Sequence, residues 1–540
     1  MNYKFLLNTP TEDKWRKIRI KRRAGAAVPL FSIYSESSIG IGEIPDLKLI
    51  IDWCKQTGMT IIQLLPMNEV GYDFSPYNSL SKFALEPMYL SIDELRKVDT
   101  KPFKKDILEL RSKYKFKKLQ VNYRIKTEKL KLLWEIFQTC KTNSFIELEK
   151  FVNDNFYWIR DYAIYKVLDE QNKFNHESSG WEKWDKKFIT RDKNTLKKFE
   201  LDNNFRIKFH YWLQWQLYEQ LSEIKNYAAK NNILIMGDIP LLVSRNSADV
   251  WSHKNYFKLN LATGAPPDFF FKKGQLWGMP PVNWGEVEKD GYTYLKHKLK
   301  YDENFYDMYR IDHFIGLFRI WTVKLSSQRK QNALRGSFEP KNQKHWEKHG
   351  RKIINVMINC SKMMPCAEDL GTVPECSNRV LRESGICGID LQRSLRKGKD
   401  FKSVKKYRPN SIAALSTHDM SFFFNWWNYE VNEDEKRAFL EYLTSEIKFS
   451  EKSSIELIKG NLNIISRSTS IFNIQLLQEW LALDRKILNK MSIKSYRINY
   501  PGKISKNNWS IRMPISLNKM LGLKINKEIR DINLKTKKYS

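Results

Sequence analysis

Three stretches of the chain put a carboxylate where a run of apolar or small residues ends. Asp312 stands in Tyr309-Arg310-Ile311-Asp312-His313-Phe314, Glu368 in Pro365-Cys366-Ala367-Glu368-Asp369-Leu370-Gly371, and Asp419 in Leu415-Ser416-Thr417-His418-Asp419. Taken singly, an acid at a strand end is often only a helix cap or a loop anchor. Three acids delivered to one face would suit a specific chemistry. Cleaving a glycosidic bond with retention takes a carboxylate nucleophile and a protonated carboxyl about 5–5.5 Å away, and a third acid can hold sugar hydroxyls.

On a strand, residues two apart face the same way, so Arg310 and Asp312 are expected to point together into one cavity. A cation beside a carboxylate lowers its pKa and keeps it ionised. One acid must titrate low and another high, and Arg310 would help to separate them. The same pair would also serve as a structural ion pair. Strand alternation lets only one of Glu368 and Asp369 reach the cavity of Asp312, and Gly371 permits a sharp exit from the strand.

Such acids need a frame to bring them together. Short apolar runs recur at residues 26–33, 60–65, 233–239, 308–314, 364–370, 389–393, 411–417 and 474–477, separated by segments of helix length. Eight runs of this kind predict an α/β protein, a (β/α)8 TIM barrel with elaborated loops and its site at the C-terminal face. Buried helices also leave short apolar runs, so periodicity by itself leaves closure open. Between the second and third runs the spacing turns helical, with Trp134, Phe137 and Cys140 at three-residue steps and Phe151, Phe156, Ile159 and Tyr162 continuing the pattern. The expected division is therefore 1–96 as the first part of the barrel and 97–232 as an inserted helical subdomain. The remainder of the barrel, 233–515, would carry the catalytic residues, and 516–540 would be a basic tail that closes the last helix and frays.

Composition narrows the classes. Of 540 residues, 42% are hydrophobic and 13% aromatic, which argues for a packed core over disorder. Lys and Arg number 93 against 61 acids, a net charge of +32 that would suit nucleic acid. No helix-turn-helix, zinc-finger or RNA-recognition pattern accompanies it. The basic residues are spread thinly through 101–118, 183–198 and 524–538. A solvated surface without a nucleic-acid partner is expected. No run of about 18 apolar residues predicts a membrane span. The first apolar stretch is too short for a signal-peptide core, so a cytosolic protein is expected. Cysteines 54, 140, 360, 366, 376 and 387 form no Cys-x-x-Cys pair and read as free thiols. His345-Trp346-Glu347-Lys348-His349 imitates a zinc-protease helix, but its acid comes one position late and no third ligand is evident. It reads as a solvated helix face, and no metal or other cofactor is expected. Oligomeric state leaves no mark in the sequence.

At its three acids the chain resembles glycoside hydrolase family 77, the amylomaltases, and the resemblance runs from about residue 25 to 514. Gly40-Ile41-Gly42-Glu43 and Asp46-Leu47 open the pattern, followed by Gln63-Leu64-Leu65-Pro66, Gly71 and Ser75-Pro76-Tyr77-Asn78-Ser79. Gln214-Trp215, Gly237-Asp238-Ile239-Pro240 and Ser247-Ala248-Asp249-Val250-Trp251 come next. Gly264-Ala265-Pro266-Pro267-Asp268, Gly274-Gln275-Leu276-Trp277-Gly278, Asn499-Tyr500-Pro501-Gly502 and Asn507-Asn508-Trp509 complete it. The resemblance implies that Asp312 is the nucleophile, Glu368 the acid/base and Asp419 the transition-state stabiliser. It implies further that Tyr77, Asp238, Trp277, Arg310, His313 and His418 bind donor or acceptor sugars, and that maltooligosaccharides and α-1,4-glucans are the substrates.

The residue types agree with that chemistry, since Tyr and Trp offer flat faces to a pyranose while Asp, Arg and His grip its hydroxyls. Transfer to a new 4-hydroxyl is the implied activity. An α-1,4-glucan hydrolase of the same barrel group and an inactive glucan-binding protein are the alternatives. Transfer requires that water be excluded, and residues 261–281, with Pro266, Pro267 and Trp277, are the expected cover. The chain departs from the family at Met279 and Met420, where Asn is usual, and at Cys387, where Pro is usual. The two methionines bear on acceptor preference and on the polar contacts around Asp419.

Overall fold

The computed structural model describes residues 3–71, 73–116, 118–140, 146–174, 180–267, 272–325, 333–447, 453–502 and 505–538, so Asp268 lies outside the described residues. Eight parallel strands form the main sheet: Arg23–Val28, Ile61–Leu64, Leu234–Ile239, Met308–Ile311, Met364–Ala367, Gly388–Leu391, Ser411–Ala414 and Phe472–Leu476. The eighth strand pairs with the first, Phe472 opposite Arg23, and a lone parallel bridge between Cys366 and Cys387 joins the fifth to the sixth. The sheet thereby comes round into a (β/α)8 barrel, as the apolar runs predict.

Each run overlaps one strand, and the boundaries move for local reasons. The first strand stops at Val28 because Pro29 has no N–H to continue the ladder and Leu30–Ser32 turns into a 3-10 helix. The fourth stops at Ile311 because His313 takes a left-handed backbone, φ 46°. Strands buried on both faces need no alternation, which is why they read as continuous apolar runs. Close packing also dictates Gly237, beside Asp238 on the third strand, where a Cβ would lie 2.5 Å from the Tyr306 ring.

Between the second and third strands the chain forms helices that include Arg124–Thr139, Phe156–Phe174 and Asn204–Lys230. The last of these packs back onto the barrel, against helix Leu47–Gln56 and the third strand. Its glutamines grip the chain leaving the second strand. The Leu85 N–H donates to Gln214 Oε1 at 2.8 Å while Gln214 Nε2 donates to the Leu85 carbonyl at 2.9 Å, and Gln220 and Gln216 repeat the exchange with Ser91 and Arg96. We propose that 97–232 acts as a subdomain, tied to the barrel along this helix. Nearby, the carboxylates of Glu69 and Glu86 are fully buried against Lys126 and Lys166. Burial raises the Glu69 pKa, but the two lysines outweigh it and hold the group at about 2.

Loops after the third and fourth strands build a second sheet, ordered Gln275–Leu276, Leu261–Ala265, Ile320–Lys324, Ser337–Glu339 and antiparallel throughout. Strands this short leave no periodicity in the sequence. The tail does not fray as expected through Lys538. Leu517–Leu521 and Ile525–Lys538 are helices, and Ile529, Ile532, Asn533 and Thr536 are buried, with Asn533 Nδ2 donating to the Thr57 carbonyl at 3.0 Å. Ile525, Ile529 and Ile532 form the apolar stripe that docks it. Among the described residues no helix is long and apolar enough to cross a membrane.

Candidate active site

The third, fourth, fifth and seventh strands each deliver polar side chains at their C-terminal ends. Asp238 and Arg310 sit opposite each other on adjacent strands, and Cys366, two residues before Glu368, is the register partner of Arg310. Arg310 is the hub. Its Nη1 donates to Asp238 Oδ1 at 2.8 Å, Asp238 Oδ2 at 2.9 Å and Asp312 Oδ1 at 3.0 Å, and its Nη2 lies 3.5 Å from Glu368 Oε2. Strand alternation separates Glu368 from Asp369 as expected. Glu368 Oε2 accepts the His313 N–H at 2.6 Å, whereas Asp369 Oδ1 turns into the wall and accepts the Ile389 N–H at 2.7 Å.

The left-handed turn at His313 does two things. It aims the backbone N–H at Glu368, and it leaves the imidazole edge-on to Trp277, ring centroids 4.9 Å apart. Such a φ is uncommon for a residue with a Cβ and persists where surrounding contacts enforce it. On the other side, the Tyr77 hydroxyl donates to Asp238 Oδ2 at 2.7 Å, and its ring stacks on His418 with centroids 5.0 Å apart. His418 Nε2 lies 3.5 Å from Asp419 Oδ2. A chain of direct contacts thus joins Tyr77, Asp238, Arg310, Asp312, Glu368, His313 and Trp277, and through Tyr77 reaches His418 and Asp419. All nine candidate residues stand together.

Electrostatics refine one expectation. Arg310 was expected to hold Asp312 low, but one guanidinium is shared among three carboxylates. Burial raises Asp312, and Asp238 and Asp419 add to it against Arg310, so that the carboxyl rises to about 7. Glu368 rises further, to about 8, through burial and the charge of Asp312, opposed by Arg310 and the His313 N–H. Asp312 and Glu368 keep 23% and 18% of their side-chain surface open to the cleft, so water tempers both shifts until a ligand displaces it. The two groups titrate together as a pair, and Arg310 contacts Asp312 more closely than Glu368. Burial, with help from Arg319 and Arg310, lowers His313 to about 4, and burial lowers His418 as well. Both imidazoles are neutral at pH 7 and can donate or accept.

Sequence reasoning gave no role to several neighbours. Asn499 Nδ2 donates to Asp419 Oδ1 at 2.7 Å, Arg497 donates to the Asp419 carbonyl, and Trp509 lies 5.5 Å from Tyr77 and 5.7 Å from His418, centroid to centroid. The motifs Asn499-Tyr500-Pro501-Gly502 and Asn507-Asn508-Trp509 were the available signal. Met420 packs with Leu370 against Ile389, Leu391 and Ala414, giving the mouth beside Asp419 an apolar flank. The carbonyl of Met279 accepts from the Thr263 N–H and hydroxyl, both at 2.8 Å, so the backbone fixes the cover loop there whatever the side chain. In the imitation zinc motif, Glu347 is engaged by Arg351 and Arg379 on the helix surface.

A family model described as 4-alpha-glucanotransferase matches residues 28–518. A 4-alpha-glucanotransferase of Chlamydia pneumoniae is 35% identical over 529 residues, covering 96% of each chain. One of Aquifex aeolicus is 31% identical over 496 residues, 89% of this chain and 93% of the other. Among solved structures, an amylomaltase from Streptococcus agalactiae in complex with acarbose superposes with a TM-score of 0.78 at 22% identity, covering 96% of this chain and 99% of that one.

Proposed function

The chain belongs to the 4-alpha-glucanotransferases of glycoside hydrolase family 77 and is an enzyme acting on α-1,4-glucans; from that premise we propose how its residues perform the transfer. Glu368, protonated, gives its proton to the glycosidic oxygen while Asp312 attacks the anomeric carbon. The C1–O bond breaks, an ester to Asp312 forms, and the shortened glucan leaves. Glu368, now a base, takes the proton of an incoming 4-hydroxyl, whose oxygen displaces Asp312 and restores the α-1,4 bond. Asp419 steadies the oxocarbenium-like transition state. Tyr77, Asp238, Arg310, His313, His418 and Trp277 hold the sugars.

The observation that carries this reading is the single guanidinium spanning Asp312 and Glu368, with Asp312 at 3.0 Å and Glu368 at 3.5 Å. It supports two carboxyls facing the same bond from one cleft, as the nucleophile and the acid of a double displacement must. The unequal contacts support the division of labour: Arg310 lies closer to Asp312, favouring the anion there, and leaves Glu368 the easier carboxyl to protonate. Asp238 and Tyr77 support Arg310 in turn, so that its charge remains when Asp312 is esterified.

Maltotriose tests the choice of acceptor. A ladder of longer oligosaccharides together with glucose is expected; glucose and maltose alone would make the enzyme a hydrolase. Cytoplasmic residence belongs to the same proposal and is supported by cysteines that are all free, three of them buried.

A further inference from the structure

A second cleft lies away from the three acids. It has a volume of about 170 Å³ and is built by helix Phe156–Phe174, helix Ala248–Ser252, the start of helix Thr293–Asp302 and the loop through Ser81 and Phe83. Aromatic rings furnish its walls and are held in place by acids of the same cleft. The Tyr294 hydroxyl donates to Asp249 at 2.5 Å and the Tyr256 hydroxyl to Asp290 at 2.7 Å. His253 stacks on Tyr256 with centroids 5.3 Å apart, and Tyr157, 37% exposed, meets His297 at 4.3 Å. Asp249 comes from the Ser247–Trp251 motif, which the transfer chemistry does not use.

The charges select the ligand. Asp161, Asp249 and Asp290 line the cleft and repel an anion. A cation fares no better, because Arg191 is bound to Asp161 at 2.8 Å and Lys82 lies 5.9 Å from the centre of the Tyr294 ring. What remains is a neutral ligand with one apolar face and a rim of hydroxyls, the same residue grammar as at the catalytic acids. Pockets that enclose a drug-sized ligand run to roughly 300–1,000 Å³. This cleft is smaller and takes a single sugar ring, leaving the rest of a chain in solvent.

We propose that this cleft is a non-catalytic docking site for one glucosyl residue of a long α-glucan, an inference that rests on α-glucans being the substrate. Ser81 and Phe83 follow Tyr77 on the same loop, so the docked strand is tethered close to the catalytic mouth. Tethering raises the effective concentration of chain ends there without altering the chemistry.

The test uses Tyr157→Ser and Asp290→Asn in the full-length enzyme. Both side chains reach solvent, so the fold tolerates the change. Turnover of maltotriose is expected to stay at the wild-type level in both, while KM for amylose rises about fivefold to tenfold in Tyr157→Ser, the loss of one aromatic contact, and by less in Asp290→Asn. Retardation of the Asp312→Asn protein in glycogen-containing native gels is expected to weaken when either change is added. Unchanged amylose KM and unchanged retardation in both variants would overturn the docking site. A wild-type enzyme that fails to lengthen maltotriose would instead overturn the transfer reading, which separates the two failures.

Discussion

At the scale of single residues, the two central carboxyls act on stability as well as on chemistry. Their pKa values in the folded chain, about 7 for Asp312 and about 8 for Glu368, lie above the unfolded carboxylate range near 4. A group raised in this way favours the fold while it is protonated and opposes it as pH climbs through the folded pKa. Glu368→Gln is therefore expected to raise the melting temperature by a few degrees at pH 8.5 and by little at pH 5. Thermal melts at the two pH values check this, and a larger gain at the lower pH contradicts it. Asp419 depends on a neighbour: Asn499→Ala, which removes its 2.7 Å hydrogen bond, is expected to lower kcat roughly tenfold to a hundredfold with little change in the binding of maltooligosaccharides. Steady-state kinetics beside equilibrium titration separates the two effects. The three acids and Arg310 could be read from the sequence because each ends an apolar run. The sharing of Arg310 could not, because Asp238 comes 72 positions before it in the chain and only the pairing and register of the third and fourth strands make them neighbours.

At the scale of elements, the barrel strands were legible and the small sheet was not, for the same physical reason. A parallel strand covered on both faces reads as a mainly apolar run, whereas Leu261–Ala265 and Ile320–Lys324 lie in loops whose residues alternate without a clear face. The tail misled because its lysines dominate the composition while Ile529 and Ile532, fully covered, decide its packing. The barrel's weakest seam also escapes the sequence. The fifth and sixth strands share only the Cys366–Cys387 bridge, and Arg408 clamps the gap by donating to both Asp369 and Asp390, the latter at 2.6 Å. Arg408→Met would leave two buried carboxylates without their cation, a loss of roughly 3–5 kcal/mol. Denaturant unfolding is expected to show it as a lower midpoint. Wild-type stability in that variant would mean that the seam is held elsewhere.

For the whole molecule, the +32 charge and the catalytic mouth are separate matters. The substrate is neutral, the acids face one another across a single guanidinium, and the loops after the second, third and fourth strands supply the cover under which a sugar can outcompete water. Every turn of the proposed transfer passes through an ester on Asp312. The direct measurement is to mix the Glu368→Gln protein with an α-maltosyl fluoride, whose leaving group needs no acid, quench within seconds and map the peptides by mass spectrometry. One maltosyl unit is expected on the peptide that contains Asp312, persisting when a 4-hydroxyl acceptor is added, because this variant lacks the base, and discharged by azide, an anionic nucleophile that needs none. A maltosyl unit on Asp419 or elsewhere, or fluoride release with inverted product and no adduct at any time, would contradict that route.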